Sequence, residues 1–177
     1  MMRLECYRIH EDVTLPKIAT QGSACFDVHA YLKKSVPVIV YNMSNKKEER
    51  EVKLFNDKVK GQYGRLALDP GDRALIPTGI IFRIPFGISM RLHARSSVSL
   101  KKGLVMPNGE GIIDSDYYHE TFVMLYNASA DTVYIDDNER IAQGELVENS
   151  YVDVWETFEK PGQTTERVGG FGSTGVN

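Results

Sequence analysis

Short β-rich segments separated by turn residues constrain the fold of this chain more than any other feature of its sequence. They carry many β-branched and aromatic side chains, and clusters of Gly, Pro, Asp and Asn lie between them. No segment shows a long 3.6-residue apolar period, so we expect one or two helical turns at most, near residues 97–102. The predicted strands are residues 35–41, 74–77, 87–92, 121–126, 132–135 and 151–155. This pattern predicts an all-β sandwich or barrel.

Length and composition limit the class of protein. A chain of 177 residues with 42% hydrophobic and 25% charged residues is typical of one globular domain with a sizeable core. No apolar run is long enough for a transmembrane helix, and the N-terminus lacks the apolar region of a secretory signal. Cys6 and Cys25 are the only cysteines and indicate no disulfide framework. We therefore expect a cytoplasmic protein without membrane association.

The charge balance favours a small ligand over nucleic acid. Proteins that grip a nucleic-acid backbone are usually basic, whereas this chain has a formal net charge of −3. Arg95, Ser96 and Ser97 offer a guanidinium and two hydroxyls that suit phosphate oxygens, although such a triplet is also common in turns. The Gly-x-Ser-x-Gly and zinc-deaminase patterns are absent. Any metal is therefore expected to be a hard cation, carried largely by the phosphates of the ligand.

Residues 108–117 are the most informative stretch of the chain. A glycine-rich turn is followed by two isoleucines, by Asp114 and Asp116, and by Tyr117. Such a turn lets backbone amides approach a flat ligand, and a carboxylate just beyond it can handle a proton. Taken alone, the stretch fits a hairpin turn with an exposed acidic rim equally well.

The segment 42–64 is polar, and no pattern in it indicates a function. It contains the run Lys46-Lys47-Glu48-Glu49-Arg50-Glu51, in which three positive and three negative charges cancel. We expect an inserted polar hairpin with a solvated tip, and keep a contact with a protein partner as the alternative.

The last residues, 159–177, are predicted to be a flexible, glycine-rich arm that follows a domain at residues 1–158. Four glycines, Ser173 and Thr174 can present backbone amides and hydroxyls to one anion, and Arg167 adds charge-assisted hydrogen bonds. Phe171 needs an apolar surface, which a base ring would supply. A disordered terminus is the alternative interpretation of the same residues.

Five segments, taken together, resemble the motifs of the trimeric dUTP pyrophosphatases (dUTPases), in the order of that family. The third and fifth are the most specific, and the other three are weak alone. The segments are residues 22–30, 94–99, 108–117, 138–143 and 167–175.

The resemblance implies a jelly-roll-like β fold and a homotrimer with active sites shared between subunits. It implies hydrolysis of dUTP to dUMP and pyrophosphate with Mg²⁺, which keeps uracil out of DNA. By position, Asp114 would be the general base that activates water for attack on the α-phosphorus, and Asp27 would bind a water of the Mg²⁺ shell. Asp116 would be only a turn acceptor.

The resemblance also assigns binding roles. Arg140 would brace the site near the acidic motif. The base and sugar would be held by Asn108, Gly111, Ile113, Tyr117 and Phe171, with Phe171 stacked on uracil and Tyr117 packed on the deoxyribose. The phosphates would be held by Arg95, Ser96, Ser97 and Gln143, and clasped from outside by Arg167, Ser173 and Thr174.

The match departs from the family pattern in two of the motifs, and the segment 42–64 is longer than the family's usual connection. The second motif usually reads Pro-Arg-Ser-Gly, but Ala94 replaces the proline and Ser97 the glycine, so Ser97 has to adopt whatever backbone conformation the glycine supplied. In the fifth motif only Val168 separates Arg167 from the Gly-Gly-Phe-Gly run, one residue fewer than usual, which shifts the path of Arg167 to the outer phosphate.

Two alternatives belong to other functional classes. The dCTP deaminases share the fold and place a catalytic glutamate a few residues after the third motif, where this chain has Met124, which cannot shuttle a proton. Glu120 lies four residues earlier, more than about 10 Å away on a strand. A nucleotide-responsive regulatory module that binds a protein through residues 42–64 is the other alternative.

Overall fold

Antiparallel strands form most of the molecule. The structure is a computed structural model and describes residues 3–33, 37–59, 61–166 and 169. None of the helices in that part of the chain is long and apolar enough to cross a membrane. The described residues form one helix, α1 (Ser96–Lys102), and the strands β1 (Glu5–Arg8), β2 (Phe26–His29), β3 (Val38–Tyr41), β4 (Lys47–Arg50), β5 (Lys53–Asp57), β6 (Gly61–Leu68), β7 (Arg73–Pro77), β8 (Ile80–Arg83), β9 (Ile88–Ala94), β10 (Leu104–Val105), β11 (Gly111–Ile113), β12 (Phe122–Asn127), β13 (Val133–Asp136) and β14 (Arg140–Glu148).

The strands form four antiparallel sheets. The five-stranded sheet has the order β10-β12-β7-β3-β4, and the four-stranded sheet has the order β11-β9-β14-β2. A three-stranded sheet, β13-β6-β5, and the pair β1-β8 complete the set. Alternate residues of the sheets enter one apolar core: Val40, Ile76 and Leu125 come from the five-stranded sheet, and Met90 and Leu92 from the four-stranded sheet. This architecture confirms the all-β prediction, and α1 confirms the predicted helical turns.

The strand predicted at residues 151–155 is wrong. These residues form no strand in the described chain, although they are rich in β-branched and aromatic side chains. Their apolar side chains instead face solvent, and Trp155 is 81% exposed. A strand needs a neighbour for its backbone hydrogen bonds, and this segment has none among the described residues.

The segment 42–64 holds more structure than one solvated hairpin. It contains β4, β5 and the start of β6, which belong to two different hairpins and two different sheets. Arg50 of β4 donates hydrogen bonds to buried Asp72 and to the carbonyl oxygen of Ala67 (2.9 Å). This ion pair anchors the inserted strand to the turn before β7.

Gly64 permits a close approach between β6 and the chain that follows β2. A Cβ at this position would lie 2.0 Å from the carbonyl oxygen of Leu32 and 2.6 Å from Cγ1 of Val52. Real Cβ atoms do not come so close to backbone, so only glycine fits here without movement of the chain.

We expect Gly64→Ala to destabilise the protein by about 2–3 kcal/mol or more, since an added methyl group has to displace backbone. Thermal unfolding measures the effect. Gly22→Ala is the matched control, because its Cβ would meet nothing within 4 Å. Equal melting temperatures for the two variants would contradict the close approach.

Candidate active site

Asp27 lies between two arginines on the four-stranded sheet. Its Oδ1 is 2.8 Å from Nε of Arg95, and its Oδ2 accepts a hydrogen bond from Arg140 at 3.1 Å. Arg95 also donates to the carbonyl oxygen of Arg140 at 3.1 Å. The three residues come from the first, second and fourth of the five sequence segments. The structure therefore brings these segments together as one charged cluster.

Strand register places Gln143 beside this cluster. In β14, Gln143 pairs with Asp27 of β2 on one side and with His93 of β9 on the other. The alternating burial of β2 turns Phe26 and Val28 inward, so Asp27 faces away from the core. Gln143 donates a weak hydrogen bond to the carbonyl oxygen of Ala94 (3.4 Å). The cluster thus faces outward from the sheet.

Helix α1 begins directly after Arg95. Ser96 and Ser97 form its exposed first turn, and Gly103 ends it with a φ of 65°. Ser97 replaces the glycine of the family pattern but lies in ordinary helical backbone, because Asn45 and Asn138 are the non-glycine residues with positive φ in the described chain. The substitution at Ser97 therefore leaves the start of the helix unstrained.

The turn between β13 and β14 holds the elements of the cluster in place. Asp137 accepts the amide of Leu32, just beyond β2, at 2.7 Å. Glu139 pairs at 2.5 Å with Lys102, at the end of α1. Because Arg140 is the first residue of β14 and directly follows this turn, both contacts fix the position at which β14, with Arg140 and Gln143, enters the sheet.

The segment beyond β2 has a second anchor in Tyr31. Its hydroxyl donates to Asp12 at 3.0 Å, and Lys33 bridges Asp12 (3.2 Å) and Asp137 (2.9 Å). Burial, and then the hydrogen bond to Asp12, raise the pKa of Tyr31 to about 12. This network ties the N-terminal loop to the turn that precedes Arg140.

His29 lies on the same strand as Asp27 and was not predicted as a site residue. Burial lowers the pKa of His29, and the positive charges of Arg140 and Arg95 lower it further, whereas the carboxylate of Asp27 raises it. The imidazole is therefore neutral at pH 7. Its Nδ1 is buried and finds no hydrogen-bond partner within the described residues.

The third segment forms a separate hairpin on the other edge of the sheet. Gly109 takes a φ of 72° in the turn, where exposed Asn108 is also found. Gly111 opens β11 against Leu92, and a Cβ on Gly111 would lie 3.1 Å from Cβ of Leu92. Ile113, the last residue of the strand, pairs with Met90. The glycines thus allow a tight turn and close packing of β11 on β9.

Asp114 follows β11 in an exposed turn. The amide of Tyr117 donates to the carbonyl oxygen of Asp114 at 3.2 Å, and the Tyr117 hydroxyl donates to that of Glu120 at 3.0 Å. The carboxylate of Asp114 has no hydrogen bond or ion pair to the rest of the described chain. It is therefore held by backbone and open to a ligand.

Within one chain, Asp114 and Asp27 do not converge. Asp27, Gln143 and His93 share one row of the sheet, whereas Asp114 lies next to the Ile113–Met90 pair, four rows away and three strands across. With about 3.3 Å per row and about 4.8 Å per strand, they are roughly 20 Å apart. One ligand cannot engage both at once unless a second copy of the chain contributes.

Another polar group on this face was missed from the sequence. His93 lies 3.0 Å from Glu145 through Nε2 and 3.6 Å from Glu110 through Nδ1, and Arg91 pairs with Glu110 at 3.1 Å. His93 and Arg91 alternate along β9, but this alternation does not show that they meet Glu110 and Glu145. The predicted residues Arg167, Phe171, Ser173 and Thr174 lie outside the described part of the chain.

Comparison with known proteins identifies the family. A family model described as dUTPase matches residues 63–175, more than half of the chain. The chain belongs to the dUTPase family. One relative, the deoxyuridine 5'-triphosphate nucleotidohydrolase of Rhizobium leguminosarum bv. trifolii, is 32% identical over 166 residues, which cover 94% of this chain and 88% of the relative.

Solved dUTPase structures have the same fold. A mutant dUTPase of Staphylococcus bacteriophage 80alpha with dUpNHpp superposes with a TM-score of 0.73 at 20% identity, over 99% of this chain and 100% of that one. A mutant dUTPase of phage phi11 of S. aureus, which coordinates a structural Mg(II) ion, gives a TM-score of 0.66 at 17% identity, over 89% and 98%. This likeness confirms the jelly-roll-like fold expected for a dUTPase.

The raised pKa of Tyr31 predicts a loss of stability at alkaline pH. The neutral phenol is the form that fits the fold, so its contribution is complete below a pH of about 10 and is lost as the pH rises to about 12. In thermal melts over this range, the melting temperature of the wild type should fall more steeply than that of Tyr31→Phe. Parallel curves would refute the assignment.

Proposed function

We propose that this dUTPase-family protein hydrolyses dUTP to dUMP and pyrophosphate, with Asp114 as the general base. The observation that carries the proposal is the cluster of Arg95, Arg140 and Gln143 around Asp27, in a chain whose Asp114 is exposed on a hydrogen-bonded turn. The guanidinium group of Arg95, braced by Asp27 and Arg140, and the amide of Gln143 suit a phosphate chain. An exposed carboxylate suits a water nucleophile.

In the proposed reaction, the Asp114 carboxylate accepts a proton from a water molecule while the oxygen of that water attacks the α-phosphorus. The bond between the α-phosphorus and the bridging oxygen breaks, so pyrophosphate leaves with the electron pair of that bond. Arg95 and Gln143, with the Ser96 and Ser97 hydroxyls, donate to the phosphate oxygens, on which negative charge accumulates. Arg140 keeps Asp27 and Arg95 oriented.

The residues around Asp27 fit a magnesium ion held mainly by the substrate. No cluster of three or more His, Cys, Asp or Glu side chains in the described chain forms a metal cage. Both oxygens of Asp27 already face arginines, so Asp27 suits a water of the Mg²⁺ shell better than the ion itself. When bound, Mg²⁺ neutralises phosphate charge and orients the chain of phosphates.

We assign the base and sugar to the hairpin of the third segment. Asn108 and the backbone of Gly111 and Ile113 offer donors and acceptors to the uracil edge. Tyr117, fixed by its hydrogen bond to Glu120, offers a ring face to the deoxyribose. Phe171 is assigned to stacking on the base, and Arg167, Ser173 and Thr174 are assigned to the outer phosphates.

We propose that the protein acts as a homotrimer with shared sites. The separation of roughly 20 Å between Asp114 and Asp27 supports this, since each site then takes its parts from different subunits. Half-buried apolar side chains on the outer face of the five-stranded sheet also support the trimer, since Met124 and Leu75 pair there and a second subunit could cover them. Beyond β14, the described residues include the exposed apolar side chains of Tyr151, Val152, Val154, Trp155 and Phe158.

The location proposed for the enzyme is the cytoplasm. Cys6 and Cys25 are both free thiols, as expected in a reducing compartment.

The alternatives are less well supported. Glu120, which a deaminase would need for proton transfer, accepts the amide of Gly79 at 2.8 Å and so has a structural role. A regulatory module could use β5, an edge strand that pairs only with β6 among the described strands and whose five residues are exposed. The set of candidate catalytic residues favours the enzyme.

Product analysis separates these functions. The purified protein is incubated with Mg²⁺ and each of dUTP, dCTP, dTTP and UTP. Pyrophosphate and dUMP from dUTP alone support the proposal, and formation of dUTP from dCTP would replace it with deamination. Nucleotide binding without turnover would favour the regulatory module.

We expect Asp114→Asn to lose turnover by at least about 10²-fold and to keep nucleotide binding, because the amide preserves shape but cannot accept the proton. Single-turnover rates and equilibrium binding of a non-hydrolysable dUTP analogue measure the two properties. Asp116→Asn is the matched control and should retain most activity. An unchanged rate for Asp114→Asn would exclude it as the base.

A further inference from the structure

A cleft of about 400 Å³ runs along helix α1 beside the Asp27 cluster. One wall is the flank of the helix, and the other is formed by the ends of β2 and β14. The wall residues that matter here are His29, Arg95, Ser97, Lys101, Lys102 and Arg140. The cleft therefore continues the proposed phosphate site toward the C-terminal end of the helix.

Most cations of this cleft already have carboxylate partners. Arg95 and Arg140 share Asp27. Lys102 pairs with Glu139 at 2.5 Å and donates to the carbonyl oxygen of Tyr134 at 2.8 Å. Among these cations, only Lys101 forms no ion pair with the described residues, and its side chain is exposed. An ammonium group without a partner, in a cleft that leads from a phosphate site, is available to an anion.

Helical spacing aligns Lys101 with the phosphate site. Lys101 follows Ser97 by four residues, so both side chains lie on the same face of α1. It follows Arg95 by six residues, or about 9 Å along the helix axis. Its long side chain can reach back along this face toward Ser97, since helical side chains point toward the N-terminus.

We propose that Lys101 binds the terminal phosphate of the nucleoside triphosphate, and therefore also the pyrophosphate product. The inference rests on the proposed function and extends its phosphate site beyond Arg95 and Gln143. Lys101 contacts a phosphate that dUMP lacks. It thus contributes to selection of triphosphate over monophosphate and to retention of pyrophosphate after the reaction.

The test compares ligands that contain and lack the outer phosphates. Calorimetry with Mg²⁺ measures binding of inorganic pyrophosphate and of dUMP to the full-length wild type and to Lys101→Gln and Lys101→Arg. Charge-assisted hydrogen bonds in a partly exposed site correspond to about tenfold in affinity. We expect Lys101→Gln to weaken pyrophosphate binding by about this factor and to raise KM for dUTP, with dUMP binding unchanged and Lys101→Arg restoring most of the loss.

Lys46→Gln is the matched control. It removes the same charge, and Lys46 lies in the turn between β3 and β4, outside the cleft. Melting temperatures check that every variant is folded. Wild-type pyrophosphate affinity in Lys101→Gln would overturn the proposal, as would an equal loss of dUMP and pyrophosphate binding. If the wild type did not hydrolyse dUTP, the proposed function would fail, but the pyrophosphate measurement would still decide the role of Lys101.

Discussion

Antiparallel register in the four-stranded sheet is the constraint on which the candidate site depends. β14 lies between β2 and β9, and this order puts Gln143 beside Asp27 and His93. A slip of one residue would turn Asp27 into the core and Val28 out to solvent. The packing of Val28 therefore also orients the carboxylate, and the apolar core and the charged cluster cannot be specified separately.

The sequence could predict the features that depend on local patterns. β-branched and aromatic side chains between turn signals were enough to predict β7, β9 and β12, and α1 lies where one or two helical turns were expected, near residues 97–102. Residues 151–155 show the limit of such patterns. They have the composition of a strand, but a strand also requires a neighbour, and the described part of the chain supplies none.

Contacts across the sheet could not be predicted from local patterns. Arg95 and Arg140 are far from Asp27 in sequence, and only the strand order brings both to its carboxylate. The resemblance to dUTPases gave these residues roles but not their geometry. For the same reason the sequence did not indicate that His93 meets Glu110 and Glu145, or that Asp114 lies roughly 20 Å from Asp27 in one chain.

The central claim is that each active site combines Asp114 of one chain with the Asp27 cluster of another. Subunit mixing tests it most directly. The Asp114→Asn and Arg95→Ala variants are each expected to be inactive. Equal amounts of the two variant proteins are unfolded and refolded together. Random assembly should then leave about one quarter of the sites with both residues intact, so activity returns to about that fraction of the wild type. Mixed trimers that stay as inactive as the separate variants would contradict the account.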